Sequence, residues 1–173
     1  MSHEKKIFIE EDGSETSIEF EVGRLLCDKK LTVSTAESCT GGMVASKLIS
    51  YPGISEVFKE GAVTYSNEAK IKRLGVDEKT LETFGAVSYE TALEMVQGIV
   101  KEAGTDVGIS TTGIAGPGGG SDEKPVGLVY IGIKVKDKTI VKKFEFKGNR
   151  EDVRSKAAFS ALEMVKKEIE SIK

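Results

Sequence analysis

Residues 31–49, LTVSTAESCTGGMVASKLI, decide the fold. Leu31 to Ala36 is short and partly β-branched, as a strand is, whereas Met43 to Ile49 has helical character and stops before the turn signal Pro52-Gly53. Between them the polar run Glu37-Ser38-Cys39-Thr40-Gly41-Gly42 interrupts both patterns, so Ser38 is expected at a strand-to-helix turn.

Upstream, Ile18, Val22 and Leu25 recur at helical spacing, which predicts a helix over residues 17–29. Downstream, Val57 to Tyr65 reads as the next strand. Ser66 or Asn67 is placed to cap a short helix through Lys70 to Leu74, ended by Gly75, and Asp77 to cap another reaching Phe84. The helix after Ser88 gathers Ala92, Met95, Val96, Ile99 and Ala103 on one apolar face. A strand at Val107 to Ser110 runs into the segment Thr111 to Pro117, after which Val126 to Val135 and Thr139 to Phe146 read as a hairpin around Lys136-Asp137. Asn149, with Glu151 and Asp152 in the first turn, opens a last helix carrying Ala158, Leu162, Val165, Ile169 and Ile172. Strands alternating with helices, about five strands in all, predict an α/β fold. It is expected as a three-layer α/β/α sandwich whose mixed, mostly parallel sheet carries an antiparallel hairpin late in the chain.

A chain of 173 residues suits a single domain, expected over residues 17–173, with residues 1–16 as an N-terminal tail. Lys and Arg number 25 and Asp and Glu 28, a net charge of 25 − 28 = −3 with no basic stripe, which argues against nucleic acid and anionic membranes as partners. The start, MSHEKKIFIEEDG, has no long apolar stretch after its lysines, and no run approaches the ~18 apolar residues of a membrane span. A soluble, cytoplasmic protein is expected. Cys27 and Cys39 lack metal-ligand spacing, so no metal site is expected.

Ligand sites in open α/β sheets form beyond the carboxyl ends of strands. Three polar segments are expected there: Glu37 to Gly42, Tyr65 to Lys70 and Thr111 to Gly120. A serine at a tight turn presents its hydroxyl, and the amides of Cys39, Thr40, Gly41 and Gly42 at the helix start are placed to stabilise an oxyanion or bind phosphate. The plainer alternative is that Ser38 or Thr40 only caps the helix. Cys39 is a second nucleophile candidate, although a small buried side chain is the commoner fate of such a cysteine. The one histidine, His3, lies in the tail, which leaves a Ser-His-Asp triad without support. Lys70 is then the available base, provided burial and positive potential lower its pKa; otherwise it is a solvated surface charge. Tyr65 has the same two readings, packing or function. The segment Thr112 to Gly120 has the composition of a phosphate cradle but matches neither Gly-Lys-Ser/Thr nor Gly-x-Gly-x-x-Gly, and reads equally as a flexible loop. Arg154, one turn into the last helix, is placed either to grip a carboxylate or phosphate or to pair on the surface with Glu151.

The segments AESCTGG (36–42), VTYSNEAK (63–70), GAVS (85–88) and TGIAGP (112–117), followed by KPVG (124–127), together resemble the CinA carboxy-terminal domain, or nicotinamide-nucleotide amidohydrolase, family. They occur in the family's order, and the resemblance spans roughly residues 17–170. It implies hydrolysis of the carboxamide of nicotinamide mononucleotide to nicotinic acid mononucleotide and ammonia, with Ser38 as nucleophile, Lys70 as its general base and a small-molecule pyridine nucleotide as the partner. On that reading Tyr65 and Thr112 orient the pair or the carboxamide, Thr40, Gly41 and Gly42 stabilise the oxyanion, and Gly113 and Arg154 help hold the nucleotide. The family's three-layer α/β/α fold agrees with the pattern above, and no metal or organic cofactor is implied. Many members carry an added amino-terminal domain of the molybdopterin-binding type; at this length a stand-alone deamidase is expected. Asn149 stands where the family commonly has aspartate, a change that keeps helix capping. The rival reading is a non-catalytic nucleotide-binding or regulatory domain of the same family, which needs no neutral Lys70. A homo-oligomer with a shared site is compatible with the glycine-rich loop.

Overall fold

Capping residues and apolar periodicity place the elements close to their expected positions. The computed structural model describes residues 7–9 and 15–172. The elements are β1 (Ile7–Ile9), β2 (Glu15–Ser17), α1 (Ile18–Asp28), β3 (Val33–Glu37), α2 (Met43–Ile49), β4 (Phe58–Val63), α3 (Asn67–Leu74), α4 (Glu78–Phe84), α5 (Tyr89–Ala103), β5 (Val107–Gly113), β6 (Leu128–Val135), β7 (Lys138–Glu145) and α6 (Arg150–Glu170). Within the segment expected as a tail, β1 and β2 pair antiparallel, with Ile7 opposite Ser17. The remainder of that segment, His3 included, lies outside the described residues.

The main sheet has the order β4-β3-β5-β6-β7. β3 runs parallel to β4 and β5, while β5–β6 and β6–β7 are antiparallel. Only β6 opposes the other four strands, so the sheet is mixed and mostly parallel in direction. Helices α1, α2 and α6 pack together on one face, and α3, α4 and α5 on the other. All five residues of β3 are buried, as a central strand covered on both faces requires.

The two long helices are fixed at their ends. Ser88 Oγ accepts from the Thr91 amide at 3.1 Å to start α5, and Gly104, at φ 62°, ends it. Asn149 and Asp152 form a capping box for α6, whose buried stripe runs from Val153 through Ala157, Ala161 and Val165 to Ile169. α5 approaches β5 so closely that a Cβ on Gly108 would lie 2.3 Å from Val100 Cγ2, which explains the glycine.

Several strand boundaries shift from expectation by one to three residues, β3, β4 and β7 among them, and two of the shifts have a clear local cause. β5 continues to Gly113 because Thr111, Thr112 and Gly113 find ladder partners in Ile131, Tyr130 and Val129 of β6. β6 begins at Leu128 rather than Val126, since Pro125 has no amide proton to donate and Leu128 N turns back to Pro125 O at 3.1 Å.

Register decides where chemistry can occur. Glu37 is level with Val63 of β4 and with Thr111 of β5, so three strand ends reach one edge of the sheet together. The chain leaves β3 through α2 on one face to reach β4, then crosses through α5 on the other face to reach β5. The carboxyl ends of β3 and β5 therefore flank a topological switch point, the usual place for a ligand crevice. Among the described residues no helix is long and apolar enough to cross a membrane.

Candidate active site

The turn after β3 is built around one carboxylate. Gly41 and Gly42 adopt φ values of 58° and 96°, so the chain turns sharply into α2 through the left-handed region that glycine tolerates. Gly42 is the N-cap and has no side chain to cap with. The buried carboxylate of Glu37 replaces it: Oε2 accepts from Gly42 N and Val44 N, both at 3.0 Å, and from Thr40 Oγ1 at 2.6 Å, while Oε1 accepts from Ala45 N at 2.8 Å. Sequence reasoning overlooked Glu37. The available signal was an acidic residue closing an apolar strand ahead of a helix that starts on glycines.

This arrangement narrows the expected oxyanion site. Gly42 N is taken by Glu37, and Gly41 N donates to Ser38 O at 3.1 Å. Of the four amides proposed from the sequence, those of Cys39 and Thr40 alone have no acceptor among the described residues. Thr40 is fully buried, with Oγ1 given to Glu37 and 2.7 Å from Thr111 Oγ1, so its amide rather than its side chain is available to a ligand.

Ser38 is held from both neighbouring segments: its amide donates to Thr111 O at 2.9 Å, and its carbonyl closes the turn to Gly41. Lys70 reaches it from α3. Ser66 caps that helix by accepting from Ala69 N at 3.1 Å, and long helical side chains lean toward the N-terminus, which carries the lysine back over the end of β4. Lys70 Nζ lies 3.2 Å from Ser38 Oγ, 2.8 Å from Thr64 O and 3.4 Å from Tyr65 O. A neutral amine has two protons and one lone pair; the two carbonyls accept the protons, and the lone pair is left for the Ser38 hydroxyl.

Burial shifts the amine toward that protonation state. Lys70 is 1% exposed, and burial holds its pKa below the ordinary lysine value of 10.5. The opposing influence is a Cys39 thiolate, but burial pushes the Cys39 thiol up to about 12, so it stays protonated at neutral pH. No carboxylate pairs with Lys70 among the described residues. Cys39 is thus a poor nucleophile beside a poised serine.

A pocket of about 220 Å³ is lined by Cys39, Tyr65, residues 113–116, Gly118, Gly119 and Arg150; it meets the Ser38 turn through Cys39, and neither Ser38 nor Lys70 is among its lining residues. It unites the three segments that the topology was expected to bring together. Tyr65 is 62% exposed at its mouth, and only its carbonyl approaches Lys70. Thr112 is buried and donates through Oγ1 to Ala86 O at 2.6 Å, so it positions the turn before α5 rather than facing the pocket. Arg154 also departs from expectation. Its guanidinium donates to Cys39 O at 3.1 Å and Thr40 O at 2.9 Å, clasping the nucleophile turn from outside the pocket lining. Arg150, one turn earlier, is the arginine that enters the pocket, and nothing in its spacing distinguished it from its neighbours. A larger groove of about 610 Å³ between β7 and α6 shares no lining residue with that pocket.

The model of the CinA C-terminal domain matches residues 15–169. The chain belongs to the CinA C-terminal domain family. Among CinA relatives, it is 66% identical over 158 residues to a competence-damage inducible protein of Clostridium perfringens, covering 91% of this chain and 38% of that one. A Clostridium acetobutylicum protein of the same name is 57% identical over 155 residues, covering 90% and 38%. The chain therefore spans well under half the length of these curated relatives. Solved CinA structures share its fold. The competence/damage inducible protein CihA of Agrobacterium tumefaciens superposes with a TM-score of 0.84 at 42% identity, covering 89% of this chain and 96% of that one. The competence damage-inducible protein A of Klebsiella pneumoniae gives 0.86 at 36% identity, covering 90% and 97%.

Proposed function

We propose that this CinA-family chain is an amidohydrolase that converts nicotinamide mononucleotide and water to nicotinic acid mononucleotide and ammonia. The observation that carries the reading is the 3.2 Å contact between Ser38 Oγ and the buried, carboxylate-free amine of Lys70. Such a pair is a sufficient nucleophile and base. The choice of substrate rests on the motif resemblance. It is supported by the pocket, whose lining includes an arginine and no acidic side chain although the chain as a whole is acidic.

In this mechanism neutral Lys70 takes the Ser38 proton as Oγ attacks the carboxamide carbon. The negative charge that develops on the carboxamide oxygen is met by the open amides of Cys39 and Thr40. The tetrahedral adduct collapses with cleavage of the C–N bond, and the Lys70 ammonium returns its proton to the leaving nitrogen, which departs as ammonia. Water, deprotonated by Lys70, then attacks the acyl-serine, releasing the carboxylate and restoring Ser38. Glu37 and Arg154 position the turn from behind and do not touch the reacting atoms.

The test is ammonia and nicotinic acid mononucleotide formation from nicotinamide mononucleotide, using wild-type and Ser38→Ala protein without added metal. Product from wild type alone supports the amidohydrolase. Folded wild-type protein that binds the nucleotide without releasing ammonia would favour a binding or regulatory domain instead.

A further inference from the structure

We infer that the buried hydroxyl of Thr64 serves the second half of the reaction, positioning the water that attacks the acyl-serine. The inference deepens the amidase reading and rests on it for the acyl-serine.

Register puts Thr64 beside the nucleophile. β3 and β4 run parallel with Glu37 level with Val63, and the Thr64 amide continues the ladder by donating to Glu37 O at 2.8 Å. Thr64 is therefore the neighbour of Ser38 on the next strand, and adjacent strands lie about 4.8 Å apart. Side chains alternate between faces, so Ser38 shares a face with Ala36 and Thr64 shares one with Ala62. Ala36 belongs to the core on the α5 side and Ala62 packs against it, so the two faces are the same. Lys70 reaches over that face from α3, with Nζ 3.2 Å from Ser38 Oγ and 2.8 Å from Thr64 O. Serine, lysine and threonine thus share one spot at the ends of two strands.

The threonine differs from the other two in having nothing to bond. Thr64 is 1% exposed, yet its Oγ1 has no hydrogen-bond partner among the described residues. Thr35 Oγ1 shares that condition, but it lies on the opposite face, where a Cβ on Gly61 would stand 3.2 Å from it. Burying a hydroxyl without a partner is unfavourable, and such a group in a native fold calls for a reason.

The acyl-enzyme supplies one. In the resting site the Lys70 lone pair faces the Ser38 hydroxyl, while its two protons go to Thr64 O and Tyr65 O. Once Ser38 Oγ is an ester oxygen it carries no proton, and the lone pair needs another donor. A water that gives one proton to this lone pair and the other to Thr64 Oγ1 turns its own lone pair toward the acyl carbon. Its oxygen bonds that carbon as Lys70 takes the first proton. The ester C–O bond then breaks, and the ammonium returns the proton to Ser38 Oγ. Thr64 stays neutral throughout and forms no bond to the carbon.

The experiment follows ammonia release from nicotinamide mononucleotide through the first and later turnovers in wild type, Thr64→Val and Thr64→Ser, with intact-protein mass and melting temperature on the same preparations. Thr64→Val keeps the shape and loses the hydroxyl. It is expected to release the first equivalent of ammonia at close to the wild-type rate, then to turn over about 10–100-fold more slowly while acyl-enzyme accumulates. It should melt no lower than wild type, since the lost hydroxyl had no partner. Thr64→Ser restores steady turnover to within a fewfold of wild type. An equal loss in both phases without acyl-enzyme, or no loss in either, overturns the assignment. If wild type releases no ammonia, the amidase reading fails, and crystal structures of Ser38→Ala and of Ser38→Ala/Thr64→Val decide the assignment. Ser38→Ala deprives the Lys70 lone pair of its donor, as acylation does. A water shared by Lys70 Nζ and Thr64 Oγ1 in the single variant and lost in the double supports the site. Its absence from the single variant, or its persistence in the double, overturns it.

Discussion

Lys70 Nζ and Ser38 Oγ, 32 positions apart in sequence, meet at 3.2 Å inside the protein, the lysine almost wholly hidden and the serine buried beside it. Replacing Ser38 with Ala removes the attacking oxygen and leaves packing unchanged. Turnover should fall by at least about 10³-fold with no loss of melting temperature. Lys70→Met keeps the volume and removes a costly buried amine, so it should be comparably inactive yet as stable as wild type or more so. Ammonia release and thermal melts on the same preparations check both statements.

The lysine also sets a pH dependence. Its folded pKa lies below 10.5 because burial disfavours the ammonium. In the proposed mechanism the active form is the neutral amine, so kcat/KM should climb with pH and level off before 10.5 is reached. Between the folded pKa and the unfolded value, the unfolded chain binds more protons at this site. Stability contributed by Lys70 therefore rises with pH through that window. Melting curves of wild type minus Lys70→Met, taken across the alkaline range, should display that slope.

Cys39 should be a bystander. With its thiol pushed up to about 12, alkylating reagents at neutral pH should label it only after unfolding, and Cys39→Ala should keep its activity within a fewfold range. Mass spectrometry of the native and denatured protein after alkylation provides the comparison.

Glu37 is expected to be the most fragile polar residue of the site. Three amides and the Thr40 hydroxyl depend on its carboxylate, and Glu37→Ala would strand them in a buried turn. A cost of about 2–4 kcal/mol, or a melting-temperature drop of about 5–15 °C, is the expected scale. Glu37→Gln should lie between the two, since one end of its amide presents donors to donors.

The layered fold was legible because apolar spacing and caps carry it: Ser88, Gly104 and Asn149 bound their helices as local chemistry dictates. Ser38 and Lys70, the proposed nucleophile and base, stood out as residue types near strand ends, and the fold brings them together. The assignments that shifted depend on direction, which spacing does not encode. Arg150 and Arg154 are four residues apart on one helix, yet one reaches the pocket and the other grips backbone carbonyls behind the turn. Thr112 shares a motif with Gly113, but strand alternation sends its hydroxyl to Ala86. Glu37 was hidden because its partners are three backbone amides and a neighbouring threonine hydroxyl, none of which side-chain spacing reveals.

The level ends of β3, β4 and β5 make catalysis a gauge of alignment. Side chains change face at every residue along a strand, so a β3 displaced by one position would exchange the residues packed on its two covered faces and rotate the serine away from its amine. Such a chain would keep its helices and give an unremarkable circular dichroism spectrum while producing no ammonia. On the proposed amidase reading, specific activity counts the molecules whose strands are in step, a quantity that bulk measures of folding average away.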